Sequence, residues 1–492
     1  MFCLLAKRLS SADPLYGWEG MMAGISRRAA LIGGGILGAG ALGAGGLAGR
    51  RMWLDREPLA PEMQNAQGHF VWSNWAGTAH SYPVQRAAPQ SEDELVHILK
   101  TAPGPIRPVG SGHSFTALVP TEGTLLTLDG MSGIVSHDPA THCAVVRGGT
   151  RLADLGPALA AIGQEMVNLP DINKQSIAGA IATGTHGTGR GIQAMHGSVI
   201  KIRLATPTGE LLDCDATTNA EIFNAARVGL GAFGVVTEVT LQNQPISRVL
   251  KRVEARLIEE MLEDWPTLRQ KHRNAEFYVL PFTGYAALIT HDVTDLPVKP
   301  RGPDRDVETL MALKQLRDIF EFTPALRRRI AEGELSKIEP EEVVDDGWKL
   351  LSNERPVRFK EIEYHLPIDA QVPALREVLA AIETHRPDVF FPIEVRVIAA
   401  DDAWLSPFHE RECGSIAVHA YYKEDHDFFF SIVEPIFRRH GGRPHWGKMH
   451  TLKAPDLAQL YPRWKEAGEV RQTIDPQGRL LNDYLKGVFL DG

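Results

Sequence analysis

Only four cysteines occur in 492 residues, and Cys3, Cys143, Cys214 and Cys413 are scattered without CxxC or metal-ligand spacing. That scatter excludes a disulfide framework and a zinc or iron–sulfur site, so no metal is expected. The net charge of −9 removes any electrostatic reason to bind nucleic acid. Outside the N-terminal stretch no GxGxxG joins a strand to a helix with an acidic residue about twenty positions on, which disfavours a nicotinamide-binding Rossmann unit. Internal repeats are absent too. A charge-free run of Ala, Gly, Leu and Ile spans Ala29–Ala48, and the basic run Arg327-Arg328-Arg329 reads as a solvated helical face with no assigned function.

What the chain does have is glycine in two particular places. Pro108-Val109-Gly110-Ser111-Gly112-His113-Ser114-Phe115 sets one imidazole in a loop almost free of side-chain bulk, where backbone N–H groups can approach an anionic ligand. A second run, Ser176 to Gly189, has the same small-residue character and again carries one histidine, His186. Two such loops in one α/β stretch point to a dinucleotide whose pyrophosphate must be cradled.

Periodicity organises the rest. Glu92 to Lys100 reads as an amphipathic helix with an acidic first turn, Leu152 to Ile162 as a second helix, and Thr124–Leu128, Ala144–Arg147 and Gly234–Gln242 as strands. After Pro245 the texture changes. Strand-like segments Ala275–Pro281, Arg358–Leu366, Phe390–Ala399 and Ser415–Tyr422 alternate with helices Val307–Ile319 and Pro373–Thr384, suggesting an α+β cap over an antiparallel sheet. Glu394 and Arg396, two apart in the apolar run Phe390 to Ile398, project from one face of that strand. Such charges are costly to bury unless paired, so a structural ion pair and a substrate site both account for them.

Several motifs, in order along residues 70 to 490, carry a family resemblance. They are Trp72-Ser73-Asn74-Trp75-Ala76-Gly77, the two glycine-rich loops, Gly231-Ala232-Phe233-Gly234-Val235-Val236-Thr237-Glu238-Val239, Ile393-Glu394-Val395-Arg396, Arg443-Pro444-His445-Trp446-Gly447-Lys448, and Asp475 through Tyr484. Together they resemble the vanillyl-alcohol-oxidase-type (PCMH-type) flavoproteins, and within them the aldonolactone oxidase and alditol oxidase group. The resemblance implies an α+β protein: a two-subdomain PCMH-type FAD-binding domain over residues 69–245, an α+β cap with an antiparallel sheet over 246–454, and a segment 455–492 returning to the FAD domain. Residues 53–68 read as a linker.

The resemblance also implies roles. FAD is the cofactor, joined covalently through His113, whose neutral imidazole nitrogen is nucleophilic near neutral pH. Val109, Gly110, Ser111, Gly112, His113, Ser114 and Phe115, then Gly149, Thr150, Ser176, Gly179, Thr183, Gly184, His186, Gly187, Gly234, Val236 and Asn482, are the expected cofactor-binding residues. Ser176, Glu394, Arg396, His419 and Lys448 are the expected catalytic residues. Ser176 reads equally as a serine turn capping its loop, and His186 as a residue that orients its loop. A cation at Lys448 would stabilise the anionic reduced flavin. The expected reaction takes hydride from a sugar lactone or polyol and passes electrons to oxygen, giving hydrogen peroxide. Two readings stand beside it: a dehydrogenase serving a quinone or cytochrome, and a flavin- or sugar-binding module without turnover.

Arg27-Arg28 before the Gly-rich run 29–48 resembles a bacterial twin-arginine export signal, so an exported, periplasmic or membrane-anchored enzyme is expected, with residues 1–52 as signal or anchor. The run is about as long as a minimal bilayer span, which keeps membrane association as the alternative.

Overall fold

A computed structural model of the protein describes residues 56–302, 306–353 and 355–490. The twin-arginine signal and the run 29–48 lie outside the described residues. Among the described residues, no helix is long and apolar enough to cross a membrane.

Helix α1 (Glu92–Thr101) starts where Ser91 Oγ accepts the Glu94 N–H at 3.2 Å, and Leu95 and Leu99 point inward. They pack on a parallel three-stranded sheet, β1 (Gln85–Ala87), β2 (Ile106–Val109) and β3 (Thr124–Thr127), in the order β1-β3-β2. The His113 loop leaves the end of β2. Next comes an antiparallel sheet of β4 (Ile134–Asp138), β5 (Cys143–Arg147), β6 (Val199–Ala205), β7 (Leu211–Asp215) and β8 (Val235–Gln242), ordered β7-β6-β8-β5-β4. Its helices α2 (Leu152–Ala161) and α3 (Ile177–Ala182) bury Leu155, Leu159, Ile177 and Ile181.

The cap is one eight-stranded antiparallel sheet: β9 (Arg248–Leu257), β10 (Asn274–Leu280), β11 (Tyr285–Val293), β12 (Glu341–Asp346), β13 (Phe359–Pro367), β14 (Ile393–Ile398), β15 (Cys413–Tyr421) and β16 (Arg443–Pro444). Their order is β12-β9-β11-β10-β14-β15-β13-β16. Every residue of β14 is buried, which is why its sequence reads as a nearly continuous apolar run. The strand begins later than its apolar run because Pro392 has no N–H for the ladder. Helices α4 (Ile258–Lys271) and α7 (Gln371–His385) cover one side, joined where Trp265 Nε1 donates to Gln371 Oε1 at 2.8 Å. Between them in sequence, α5 (Asp306–Phe320) and α6 (Pro324–Leu335) form a helical hairpin.

Arg327 on α6 corrects the reading of its basic run as solvated. Its guanidinium is buried over the Phe282 ring at 4.7 Å and donates to the Pro387 and Val389 carbonyls, both at 3.1 Å. Arg328 and Arg329 are exposed. The last segment packs back on the first domain: Leu480 joins the Leu95–Leu99–Ile106 core, and Asn482 Nδ2 donates to Ala117 O at 2.8 Å.

Candidate functional site

The glycine-rich loops of the first domain and the cap sheet face each other across an open cleft lined by residues of both. One wall is glycine. A side chain at Gly110 would strike Ser176 Oγ, one at Gly149 would strike Leu128 O, and one at Gly234, at φ 147°, would come within 2.8 Å of Ala205 O. Only glycine lets these three cleft-lining positions pack so closely on their own neighbours, and it adds no side-chain bulk to the wall.

His113 sits on this wall. Trp75 stacks on its ring at 5.1 Å, the Trp75 N–H donates to Gly112 O at 2.8 Å, and Asn74 Nδ2 donates to Ser114 O at 2.9 Å. The Trp72–Gly77 motif is therefore the brace of the loop. Burial, helped by the cations of Lys448, Arg151 and Lys174, lowers the His113 pKa to about 4. Its imidazole is neutral near pH 7, the form required of a nucleophile.

Val109, Gly110, Ser111, Gly112, Ser114 and Phe115 line the cleft with His113, as do Gly149, Ser176, Gly179, Thr183, His186, Gly234 and Val236. Four expected residues do not line it. Thr150 turns its hydroxyl to Arg147 O at 2.7 Å, Gly187 abuts Asn168 and Leu169, Gly184 lies against Pro407, and Asn482 caps the helix Asp483–Phe489. These four brace the walls. Ser176 does both things expected of it: it lines the cleft, and its Oγ accepts the Gly179 N–H at 3.4 Å as the cap of α3.

The opposite wall is the cap sheet, and β-register brings its polar residues to one place. Glu394 Oε1 accepts the Tyr278 hydroxyl at 2.5 Å, while its Oε2 lies 2.9 Å from Arg396 Nη2. Arg396 also reaches Glu363 Oε1 at 3.1 Å, and His186 Nε2 lies 3.0 Å from that same oxygen. These carboxylates hold the Arg396 guanidinium charged despite full burial, and the neighbouring cations hold Glu363 well below the usual carboxylate range. Lys448 Nζ pairs with Glu361 Oε2 and lies 3.9 Å from Glu363 Oε2. Glu361 Oε1 stands 3.6 Å from His419 Nε2, and His419 Nδ1 bonds Pro392 O at 2.8 Å. Lys448 and His419 oppose the burial penalty at Glu361 and set its pKa at about 2.

All five expected catalytic residues thus share the cleft with His113. Sequence reasoning missed Glu361, Glu363 and Tyr278. The first two alternate on β13 with His365, a period-2 row of polar groups in a strand whose neighbours are apolar, and that row was the available signal. Among the described residues, two clusters could also hold a metal ion, His186–Glu363–His365 and Glu361–Glu394–His419. Their carboxylates are already matched by Arg396 and Lys448.

Comparison with known proteins gives this geometry a family. Residues 239–488 match the D-arabinono-1,4-lactone oxidase family and residues 83–215 an FAD binding domain. The chain belongs to the D-arabinono-1,4-lactone oxidase family. An L-gulono-1,4-lactone dehydrogenase of Mycobacterium tuberculosis is 34% identical, covering 85% of this chain and 99% of the relative. The L-gulonolactone oxidase of Scyliorhinus torazame is 29% identical over 85% and 98%, and an alditol oxidase of a Streptomyces species 27% over 85% and 99%. A crystal structure of cholesterol oxidase from B. sterolicum, only 14% identical, superposes with a TM-score of 0.67, covering 88% of this chain and all of that one. The fold is therefore PCMH-type, the cofactor is FAD, and the protein is an FAD-dependent oxidoreductase acting on lactone or alcohol groups.

Proposed function

We propose that the protein oxidises a neutral sugar-derived alcohol, an aldono-1,4-lactone or an alditol, at a cleft formed by Glu394, Arg396, His419 and Lys448 opposite His113. The convergence of these four cap residues on the glycine-walled cleft carries the proposal. Bound FAD supplies a two-electron acceptor, and His113, neutral and braced by Trp75, is the residue to which it would be joined.

The chain's own groups orient the substrate. Near the substrate Glu361, Glu363, Glu394 and Asp171 outnumber Arg396, Lys448 and Arg355, which favours an uncharged polyhydroxylated molecule over a free aldonate. Lys448 and Arg396 donate to the hydroxyls. His419 commits Nδ1 to a backbone carbonyl, which leaves Nε2 as the acceptor for the reacting hydroxyl's proton, with the Glu361 carboxylate beside it to stabilise the charge. His419→Ala should slow anaerobic flavin reduction by roughly two to four decades without loss of bound flavin. Equal reduction rates would remove His419 from this role. Covalent attachment is tested by acid precipitation: yellow colour in the pellet supports it, and all flavin in the supernatant refutes it.

The electron acceptor is read as oxygen. The relative at 34% identity is named a dehydrogenase, which keeps a quinone or cytochrome as the second reading. Anaerobic bleaching with a panel of lactones and alditols, then air, separates the two: recovery of colour means an oxidase and persistent bleaching a dehydrogenase.

A further inference from the structure

The cap sheet changes character along β13. Side chains two apart on a strand share a face, so Phe359 projects beside Glu361 and Glu363, and register sets Glu361 opposite His419. The acids end at Glu361, and at Phe359 the wall turns apolar. Phe359, Phe391 and Leu310 belong to one packed cluster, Val357 lies against it, and all four line the cleft. Val307, about one turn before Leu310 on α5, lines it too, with 38% of its surface exposed. The His419 ring stands on this wall: it stacks on Phe391 at 5.4 Å and meets Phe359 edge-on at 5.2 Å. The group that faces the reacting hydroxyl therefore marks a boundary, with acids and cations on one side and carbon on the other.

Charged groups that line the cleft beside Val307 and Val357 neutralise one another. Arg355 holds Asp171 with Nε at 2.7 Å and Nη2 at 3.0 Å, and its Nη1 pairs with Asp306. A substrate hydroxyl pressed against Val307, Leu310 or Val357 would trade its hydrogen bonds to water for contact with carbon, whereas an alkyl or aryl group there gains by leaving water. A bare polyol, with oxygen on every carbon, suits only the charged side. We propose that the substrate is amphiphilic: a polyhydroxylated lactone or alditol head held by Glu394, Arg396 and Lys448 carries an alkyl or aryl substituent that lies on Val307, Leu310 and Val357. The inference rests on the reading that His419 takes the proton of the reacting hydroxyl. Its bond changes are those of that reaction: the C–H hydride goes to the bound flavin, the O–H proton to His419 Nε2, and the C–OH carbon becomes C=O, while the substituent stays intact.

The test is anaerobic flavin reduction in the full-chain holoenzyme with two heads, L-gulono-1,4-lactone and D-glucitol, each bare and as its 6-O-acetyl, butanoyl and hexanoyl esters. Along the series that reacts, each added methylene should raise kcat/KM roughly two- to fourfold until the apolar wall is covered. In the double variant Val307→Thr, Val357→Thr, which keeps side-chain shape and adds hydroxyls, the gain per methylene should shrink by about half or more. Rates that do not rise along either series while a bare head still bleaches the flavin overturn the inference and leave the proposed function standing. If neither head bleaches the flavin, bare or esterified, the proposed function fails and the inference falls with it. A chain-length gain that the double variant leaves intact overturns the inference as well, and a shift of flavin absorbance in that variant then marks the wall as a seat of the cofactor.

Discussion

Glu361 is the residue on which two expected catalytic groups depend, since one carboxylate holds Lys448 with one oxygen and faces His419 with the other. Replacing it by Gln keeps the shape and removes the counter-charge. Glu361→Gln should lower the rate of flavin reduction by roughly ten- to a hundredfold, with KM changed far less and bound flavin unchanged. Stopped-flow reduction under anaerobic conditions measures it, and a loss confined to KM would make Glu361 a binding group alone. The Glu394–Arg396 pair yields the opposite balance. Arg396 is shared by two buried carboxylates, so Arg396→Ala strands both Glu394 and Glu363 and should cost roughly 3–5 kcal/mol of stability as well as activity. Lys448, a fifth exposed on its side chain, should lose activity with a much smaller drop in melting temperature when changed to Ala. Calorimetry on both variants tells the structural pair from the substrate-facing cation.

Elements decide what was legible in the sequence. Helix 92–101 and strand β8 follow from periodicity because each keeps one face in a core, and the helix starts on the Ser91 cap, whereas β10, β13 and β15 are buried on nearly every residue and are legible as apolar, β-branched and aromatic runs. The glycine-rich loops were legible for another reason: a wall where Gly149 faces Leu128 O tolerates no side chain, so composition itself records the close approach. Glu361 and Glu363 escaped because pattern alone does not tell a polar row aimed into a buried cleft from one aimed at solvent. Arg327 escaped for the same reason, since its carbonyl partners come from residues 387 and 389, far along the chain. Wall geometry gives its own prediction. Gly149→Ala must push the carbonyl of Leu128, so FAD retention on gel filtration should fall severely. The matching change at Gly163, which has open space around it, should leave retention intact, although its φ of 77° will cost some stability. Equal retention in both would mean that the wall is not shaped by the cofactor.

At the scale of the whole molecule, joining two domains over a charged cleft buries ionisable groups, and this sets the response to acid. His445 is buried and His450 half-buried, and burial pulls their pKa values down to about 3 and about 4. An unfolded chain protonates the same groups near pH 6.5, so between that value and the folded pKa the unfolded state binds more protons. Stability therefore is complete above about pH 6.5 and declines as pH falls toward 4, by on the order of 3 kcal/mol for each histidine fully titrated in the unfolded chain. Glu361, with its pKa near 2, acts in the same direction: the unfolded carboxyl takes its proton near pH 4.3, so its contribution is lost as pH falls from there toward 2. Both sets point one way. The melting temperature should be level from pH 8 to 7 and then fall in two stages, the first below pH 6.5 and a steeper one below pH 4.5. His450 bonds Tyr484 at 2.8 Å, away from the substrate groups, and His450→Gln should flatten the first stage without changing flavin reduction. A melting temperature that stays level down to pH 5 in the unaltered protein would show that these buried imidazoles are not the neutral, acid-sensitive groups that close the interface.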